Sequence, residues 1–199
     1  MSGVDASELA EDPFRQLEAW LQEARTAGLR EPEAMALATV GATGTPSVRM
    51  VLLRGWDEEG FRFFTNYESQ KGLDLEVNPM ASLLFYWDPL QRQVRIDGEV
   101  ARLAGHESDA YFATRPRESQ LGAWASAQSR PLEDRATLLQ AVEDAGQCFP
   151  DTVQRPPWWG GFRLVPVRFE FWAAGRHRLH DRFRYEPTEE GWTITRLSP

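Results

Sequence analysis

The sequence has little cysteine, almost no lysine and no long apolar run, and each shortage excludes a class of protein. Cys148 is the only cysteine, which excludes a disulfide framework and a metal cluster built from cysteines. The first residues are acidic rather than apolar, so we expect no signal peptide, and no apolar stretch reaches transmembrane length. The spacing of potential ligands predicts no metal site. These absences together predict a cytoplasmic protein that does not bind membranes.

Lysine is nearly missing: Lys71 is the one lysine among 22 basic residues. The formal net charge of −8 argues against non-specific binding of nucleic acid. Residues 163–184 have the opposite sign of charge, because they contain six arginines and only two acidic residues, Glu170 and Asp181. A local positive site on an acidic protein favours a small anionic ligand over a polyanion.

Length and composition predict one globular domain. A chain of 199 residues, 42% of them hydrophobic, is long enough to bury a substantial core. We expect a flexible acidic segment at residues 1–11 and a single domain at residues 12–199. Asp12 and Pro13 are typical of a helix start, and apolar residues continue at helical spacing to a stop at Gly28.

The remainder of the sequence predicts many short strands with helical insertions. Strands are predicted at residues 35–40, 47–54, 61–65, 81–87, 92–103, 163–172, 182–185 and 192–196. Helices are predicted at residues 69–77 and over most of residues 106–146. One face of the strand at residues 163–172 is expected to carry Val165, Val167, Phe169 and Phe171. The pair Gly160-Gly161 before it resembles a turn. Antiparallel strands with inserted helices indicate a closed β-barrel, because closure removes sheet edges.

One candidate group for chemistry lies around residues 49–71. Arg49 and Arg54 fall on one predicted strand, and Thr65 and Lys71 follow the next turn. The segment from Thr65 to Ser69 precedes a helix, whose N-terminal amides attract phosphate. These residues are a candidate phosphate site, and the alternative is that they are ordinary cations at a strand edge.

A second candidate group lies in the helical region. Tyr111 and Arg115 are one helical turn apart, and Ser119 follows shortly after Pro116. Two hydroxyls and a guanidinium that converge on one point would hold a phosphate well. The alternative is a Tyr–Arg stack on the surface of a helix.

The third candidate group follows an aromatic strand near the end of the chain and comprises Trp172, Arg178, His180 and Arg182. Cations beside flat apolar rings suit a ligand that is both anionic and aromatic. The alternative is a solvated basic hairpin packed on a core strand. Two candidate phosphate sites and one ring-binding site suit an enzyme that holds a phosphorylated cofactor and a phosphorylated substrate.

A set of collinear motifs resembles one known family over nearly all of residues 12–199. The motifs are Arg49-Met50-Val51-Leu52-Leu53-Arg54, Phe63-Phe64-Thr65-Asn66, Ser69-Gln70-Lys71, Gln91-Arg92-Gln93-Val94, Arg115-Pro116-Arg117-Glu118-Ser119-Gln120, Gln128-Ser129, Trp159-Gly160-Gly161-Phe162 and Arg196-Leu197-Ser198-Pro199. With them, the chain resembles the pyridoxamine 5′-phosphate oxidases, FMN-dependent enzymes that make pyridoxal 5′-phosphate.

The resemblance implies a mainly β fold with α additions, the FMN-binding split β-barrel, working as a homodimer with FMN at the interface. By that resemblance, the FMN phosphate is held by Arg49, Thr65 and Lys71. The wider set of implied cofactor-binding residues is Arg49, Met50, Val51, Leu52, Leu53, Arg54, Phe64, Thr65, Gln70, Lys71, Gln93, Gln128, Ser129, Trp172 and Arg182. The implied substrate-binding residues are Arg54, Tyr111, Arg115, Ser119, Arg178 and His180, of which Arg178 and His180 are the implied catalytic residues.

The reaction implied is oxidation of pyridoxamine 5′-phosphate or pyridoxine 5′-phosphate by hydride transfer from substrate C4′ to flavin N5. The cofactor carries this chemistry and the protein supplies placement and electrostatics. A cation beside flavin N1 would stabilise the reduced form, and Arg182 is the candidate. Oxygen then reoxidises the flavin and yields hydrogen peroxide.

Three departures from the family pattern stand out. Arg54 occupies a position where the family usually has lysine, and Gln70 stands where an arginine commonly precedes the phosphate-binding lysine. The segment from Met1 to Glu11 lacks the basic residues and the tyrosine that close over the substrate in many members. Two other interpretations stay open: a split-barrel flavoprotein with another substrate, and a non-catalytic protein that stores or senses FMN or pyridoxal phosphate.

Overall fold

One antiparallel sheet organises the protein, whose structure is a computed structural model describing residues 4–199. Its strands are β1 (Ala34–Val40), β2 (Pro46–Leu52), β3 (Trp56–Asp57), β4 (Gly60–Asn66), β5 (Met80–Trp87), β6 (Arg92–Arg102), β7 (Trp159–Ala173), β8 (Asp181–Thr188) and β9 (Gly191–Leu197). The helices are α1 (Pro13–Thr26), α2 (Gln70–Val77), α3 (Gly105–Ala113), α4 (Arg117–Ala125) and α5 (Arg135–Cys148). No helix within residues 4–199 has both the length and the apolar character needed to cross a membrane.

The sheet curls back on itself into a barrel. Its hydrogen-bonded order is β2-β1-β5-β6-β7-β4-β3, and β8 extends from β7 to β9. The segment that follows β2 pairs with β4, because the Arg54 N–H donates to the Arg62 carbonyl at 2.8 Å and the Arg62 N–H donates to the Gly55 carbonyl at 2.9 Å. These bonds join the two ends of the strand order. Closure leaves fewer unpaired edges than a flat sheet would have.

The predicted first helix is confirmed. The Asp12 carboxylate accepts a hydrogen bond from the Phe14 N–H at 2.9 Å, so it caps α1 at its N-terminus. One face of α1 buries Leu17, Trp20 and Leu21 against the sheet. The indole of Trp20 meets the ring of Phe171 edge-on at 5.2 Å between centroids. This contact fixes α1 on the second half of β7.

The prediction that Val165 and Val167 share a face with Phe169 is wrong, because β7 contains a bulge. Against β6, Asp97 pairs with Arg168 but the next residue, Gly98, pairs with Pro166. The extra residue, Val167, shifts the alternation of side chains by one. Val165 and Val167 are therefore 47% and 46% exposed, while Phe169 is fully buried.

The prediction of a turn at Gly160-Gly161 is also wrong. Both glycines lie inside β7, where Gly160 pairs with Thr65 and Gly161 with Phe64 of β4. A β-carbon at Gly160 would collide with the hydroxyl of Tyr67. The glycines therefore permit a close approach within the sheet rather than a reversal of the chain.

Residues 4–11 lie against the hairpin of β8 and β9. The Val4 N–H donates to the Asp181 carboxylate at 3.0 Å, and Asp5 faces Arg196 at 3.5 Å. The Ala10 carbonyl accepts a hydrogen bond from the Tyr185 hydroxyl at 2.8 Å. The flexibility predicted for residues 1–11 stays a prediction, and its first three residues lie outside the described part of the chain.

Candidate active site

A cavity of about 500 Å³ opens between β2, β4, α2 and α3. Its walls include eleven of the predicted site residues: Arg49, Met50, Val51, Leu52, Arg54, Phe64, Thr65, Lys71, Tyr111, Arg115 and Gln128. The fold therefore brings together the first two candidate groups, which are separated in sequence by helix α2 and two strands. Asn66 and Trp159 also line the cavity and were not predicted as site residues.

Lys71 lies in the first turn of α2 with its ammonium group facing only neutral partners. Its Nζ donates to Thr65 Oγ1 at 3.3 Å, Ser69 Oγ at 3.2 Å and Gln128 Oε1 at 3.0 Å. The residue is 8% exposed. Burial, assisted by the nearby Arg49 charge, lowers the pKa of Lys71 to about 8. An anion in the cavity would raise this pKa, because it stabilises the charged ammonium.

Arg49 projects from β2 into a network of oxygen atoms. Its Nη1 donates to Thr39 Oγ1 at 2.6 Å and its Nη2 donates to Ser47 Oγ at 2.5 Å. Asp74 of α2 lies 3.7 Å from Nη2. Burial lowers the pKa of Arg49, and the Asp74 charge opposes that shift. The guanidinium is therefore held in place at one end of the cavity.

Arg115 stands at another part of the cavity, just beyond the end of α3. Its Nη1 is buried and has no hydrogen-bond partner among residues 4–199. Its guanidinium lies 4.5 Å from the ring centroid of Trp159, a cation–π contact. Burial lowers the pKa of Arg115, and the charge of nearby Arg54 lowers it further. A buried guanidinium nitrogen without a partner indicates a place for an anionic ligand.

The walls of the cavity carry a net positive charge. Among the described residues its walls hold four cationic side chains and no carboxylate. The cations form two pairs, since Arg49 acts on the pKa of Lys71 and Arg54 acts on that of Arg115. Arg54, which the residue pattern grouped with Arg49, thus lies near Arg115, and phosphate binding by either pair stays a prediction.

Stacked aromatic rings form the wall near the second pair. The rings of Phe64 and Tyr111 are parallel within 19° at 3.8 Å between centroids, and Trp159 stacks on Phe64 at 5.7 Å.

The prediction that Tyr111 and Arg115 share a helix is only half right, because α3 ends at Ala113. Similarly, β2 ends at Leu52 and leaves Arg54 in the following loop.

The predicted ring-binding residues lie outside the cavity. Three of them form one row across strands β6, β7 and β8. Gln93 pairs with Trp172 and Trp172 pairs with Arg182, so their side chains share a face of the sheet. Trp172 is near the end of β7 and Trp159 of the cavity is at its start. Thirteen residues of strand separate them, roughly 40 Å along the chain.

The loop that carries Arg178 and His180 is tightly wound. His177 and Arg178 have φ angles of 57° and 66°, in the left-handed region that non-glycine residues rarely adopt. The Gly175 N–H donates to His180 Nδ1 at 3.2 Å, and the His180 ring packs on Trp172 at 4.7 Å. Such strain concentrates at functional sites. Neither Arg178 nor His180 lines the cavity described above.

Four other predicted residues are not on the cavity wall. Leu53 is buried in the hydrophobic core, and the Gln70 amide donates to Asp74 Oδ1 at 2.8 Å. Ser119 in α4 and Ser129, which has a φ of 71°, are exposed. Their predicted roles in cofactor or substrate binding stay predictions.

Several polar residues behind the cavity are absent from the set predicted from sequence. Thr39, Ser69 and Asp74 are buried beside the predicted cations, and Glu170 is buried beside Arg182. No local pattern marks either residue. Glu170 lies on the strand face opposite Phe169 and Phe171, and the burial of Asp74 depends on the packing of α2 beside β1.

Comparison with known proteins agrees with the geometry. Residues 21–149 match the family model described as pyridoxamine 5′-phosphate oxidase, and residues 159–199 match the pyridoxine 5′-phosphate oxidase C-terminal dimerisation region. The chain belongs to the pyridoxamine 5′-phosphate oxidase family. The first matched region contains every residue of the cavity wall except Trp159, and the second contains Trp159 together with Trp172 and Arg182.

Relatives from bacteria match over all or nearly all of the chain. A pyridoxine/pyridoxamine 5′-phosphate oxidase of Cupriavidus taiwanensis is 54% identical over 200 residues, covering 100% of this chain and 94% of the relative. That of Bordetella pertussis is 55% identical over 191 residues, covering 96% and 90%. The matches therefore extend over at least 90% of the length of each chain.

Solved structures confirm the predicted fold, a mainly β split barrel of the FMN-binding type. PhzG from Burkholderia lata 383, in complex with tetrahydrophenazine-1-carboxylic acid, is similar with a TM-score of 0.91 and 34% identity over 100% of both chains. An FMN-binding protein of Nostoc punctiforme related to pyridoxamine 5′-phosphate oxidase has a TM-score of 0.75 over 96% of this chain and 100% of that one. At 19% identity, this second likeness concerns the fold alone.

Proposed function

We propose that this protein is an FMN-dependent oxidase that converts pyridoxamine 5′-phosphate and pyridoxine 5′-phosphate to pyridoxal 5′-phosphate, with O₂ as acceptor and H₂O₂ as product. The observation that carries the proposal is the cavity with two separate cation pairs, Arg49 with Lys71 and Arg54 with Arg115. A phosphorylated cofactor and a phosphorylated substrate each need one such pair.

The residues present fit a flavin phosphate at the first pair. The Lys71 ammonium is buried among neutral oxygens, and Thr65 adds a hydroxyl at 3.3 Å from it. FMN, when bound, would supply the acceptor for a hydride from the substrate and return the electrons to oxygen. Arg49, Thr65 and Lys71 would hold its phosphate, and Arg182 would stand by the ring.

The second pair fits the substrate phosphate. Arg115 Nη1 is buried without a partner, so a phosphate oxygen there would satisfy it. Tyr111 would add its hydroxyl beside Arg115. The row of Gln93, Trp172 and Arg182 and the loop with Arg178 and His180 would complete the site from a partner subunit, because they lie far from this cavity in one chain. The function proposed therefore includes a homodimer, in line with the dimerisation region matched at residues 159–199.

The family name of the curated relatives favours this substrate over others. They are 52–55% identical to the chain, whereas PhzG is 34% identical. An oxidoreductase acting on a different ring system is the second candidate, because the similar structure of PhzG is a complex with tetrahydrophenazine-1-carboxylic acid. That ligand has a carboxylate where the vitamer has a phosphate.

The test is to purify the protein, record flavin absorbance and add each phosphorylated vitamer under air. We expect a yellow protein that releases H₂O₂ and forms pyridoxal 5′-phosphate with both. Binding of either vitamer without peroxide would identify a storage or sensor protein instead. Absence of any flavin binding, with free FMN added, would end the proposal.

A further inference from the structure

A chain of hydrogen bonds behind the cavity connects α2 through β1 to Arg49. Thr39 Oγ1 donates to Asp74 Oδ2 at 2.7 Å, and Arg49 Nη1 donates to Thr39 Oγ1 at 2.6 Å. Thr39 is 1% exposed and Asp74 is 3% exposed. Neither residue lines the cavity, so neither touches a ligand bound there.

The direction of these bonds follows from the chemistry of the groups. An ionised carboxylate can only accept, so Asp74 requires the single hydroxyl proton of Thr39. The hydroxyl lone pairs are then left to face Arg49, which can only donate. The other Asp74 oxygen accepts from the Gln70 amide at 2.8 Å. Asp74 is thereby held on both sides, and the Thr39 hydroxyl has one permitted orientation.

We propose that Thr39 and Asp74 are positioning residues that aim the Arg49 guanidinium at the phosphate of the bound flavin. The proposal rests on the FMN-binding function proposed above. Arg49 has five N–H donors, and its contacts to Leu37 O, Thr39 Oγ1 and Ser47 Oγ use part of them on the protein side. Nη1 uses both of its hydrogens on the protein side and Nη2 uses one, which leaves the Nε hydrogen and one Nη2 hydrogen for a ligand. The relay of hydrogen bonds from Arg49 through Thr39 to Asp74 holds the guanidinium that carries these donors.

The relay and simple electrostatics predict opposite effects for Asp74. A negative charge 3.7 Å from Arg49 opposes the binding of a phosphate, so its removal alone should tighten FMN binding. Loss of the relay should weaken FMN binding, because the guanidinium is no longer aimed. The sign of the change in Asp74→Asn therefore separates the two effects.

The experiment compares FMN with riboflavin, which has the same ring and no phosphate. Dissociation constants of both are measured by quenching of flavin fluorescence for wild type, Thr39→Val, Thr39→Ser and Asp74→Asn. We expect Thr39→Val and Asp74→Asn to weaken FMN binding about tenfold and riboflavin binding less than twofold. Thr39→Ser keeps the hydroxyl and should stay within about twofold of wild type for both ligands.

Several outcomes would overturn the positioning role. Equal weakening of FMN and riboflavin in Thr39→Val would show that the hydroxyl only supports the fold, and a lowered thermal midpoint of the apoprotein would accompany it. Unchanged or tighter FMN binding in Asp74→Asn would show that removing the negative charge of Asp74 outweighs the loss of a fixed orientation of the Arg49 guanidinium. If Thr39→Val does not fold, the FMN-to-riboflavin ratio of Asp74→Asn decides alone. A wild type that binds no FMN would reject the proposed function itself, a result visible before any variant is made.

Discussion

Glu170 and Arg182 form an ion pair beside the predicted ring-binding row, with Arg182 Nε 2.9 Å from Glu170 Oε1. The second Glu170 oxygen accepts from Arg95 Nη2 at 2.8 Å. The Glu170 side chain is 4% exposed. A buried carboxylate thus holds two guanidinium groups on one face of the sheet.

Replacing Glu170 with glutamine should destabilise the protein, because it leaves two cations beside a buried neutral amide. We expect the free energy of unfolding to fall by roughly 3 kcal/mol, measured by urea denaturation of the apoprotein. Glu186→Gln is the matched control. Its pair with Arg184 at 3.1 Å is exposed to solvent, so the loss should stay within about 0.5 kcal/mol. Equal losses in the two variants would contradict the special role of Glu170.

FMN affinity should depend on pH through Lys71. Its pKa of about 8 means that the ammonium is charged below that value and becomes neutral as pH rises through it. A phosphate monoester takes its second negative charge at a pKa of about 6. FMN binding should therefore be tightest between these values and weaken above pH 8, as measured by fluorescence titration.

Lys71→Arg is the control for that pH dependence. Arginine stays charged throughout this range, so the variant should lose the alkaline decline even if its overall affinity differs. An identical decline in the variant would show that another group is responsible.

Arg115→Ala should raise the KM for both phosphorylated vitamers by roughly 10- to 100-fold, because a charge-assisted bond to the phosphate is lost. FMN content should not change. Arg130→Ala removes an equal charge from an exposed loop position and should leave the KM unchanged. A parallel loss of FMN in Arg115→Ala would place this arginine at the cofactor phosphate instead.

A site shared between subunits predicts complementation of inactive variants. Arg178→Ala should cut turnover far more than FMN content, and Arg115→Ala should turn over slowly at substrate concentrations far below its raised KM. A mixed dimer has one site with both arginines intact. Random reassembly of the two variants should restore about one quarter of the wild-type rate. Mixed dimers are verified by mass spectrometry. If they show no recovery of the oxidase rate, each chain forms its active site without residues of the other.

Gln70→Arg should bind FMN at least as tightly as wild type. The Gln70 amide donates to Asp74, and an arginine there would pair with that carboxylate while adding positive charge near the phosphate. The check is an FMN titration at low ionic strength, with Gln70→Ala as the control that removes the contact without adding charge. Weaker binding of the arginine variant than of the alanine variant would show that residue 70 faces away from the phosphate.

Local patterns predicted most elements, because each depends on neighbours in the sequence. The Asp12 cap, the strand at residues 92–103 and the helix at residues 69–77 follow from short-range effects, and the structure confirms those elements. The bulge at Val167 was missed since it depends on the register with β6. The role of the glycines in β7 was missed for a similar reason: the feature that requires them is Tyr67, distant in sequence.

Residue types and motifs alone established which chemistry is available to this protein: a sole lysine, paired arginines, an aromatic strand and the pattern of an oxidase family. The grouping of these residues came from the three-dimensional fold. It set the Arg49–Lys71 group and the Arg54–Arg115 pair around one cavity, placed Trp172 far along β7 beside Arg182 of β8, and put Asp74 behind Arg49. Grouping depends on barrel closure and strand register, which are long-range properties that no local pattern encodes.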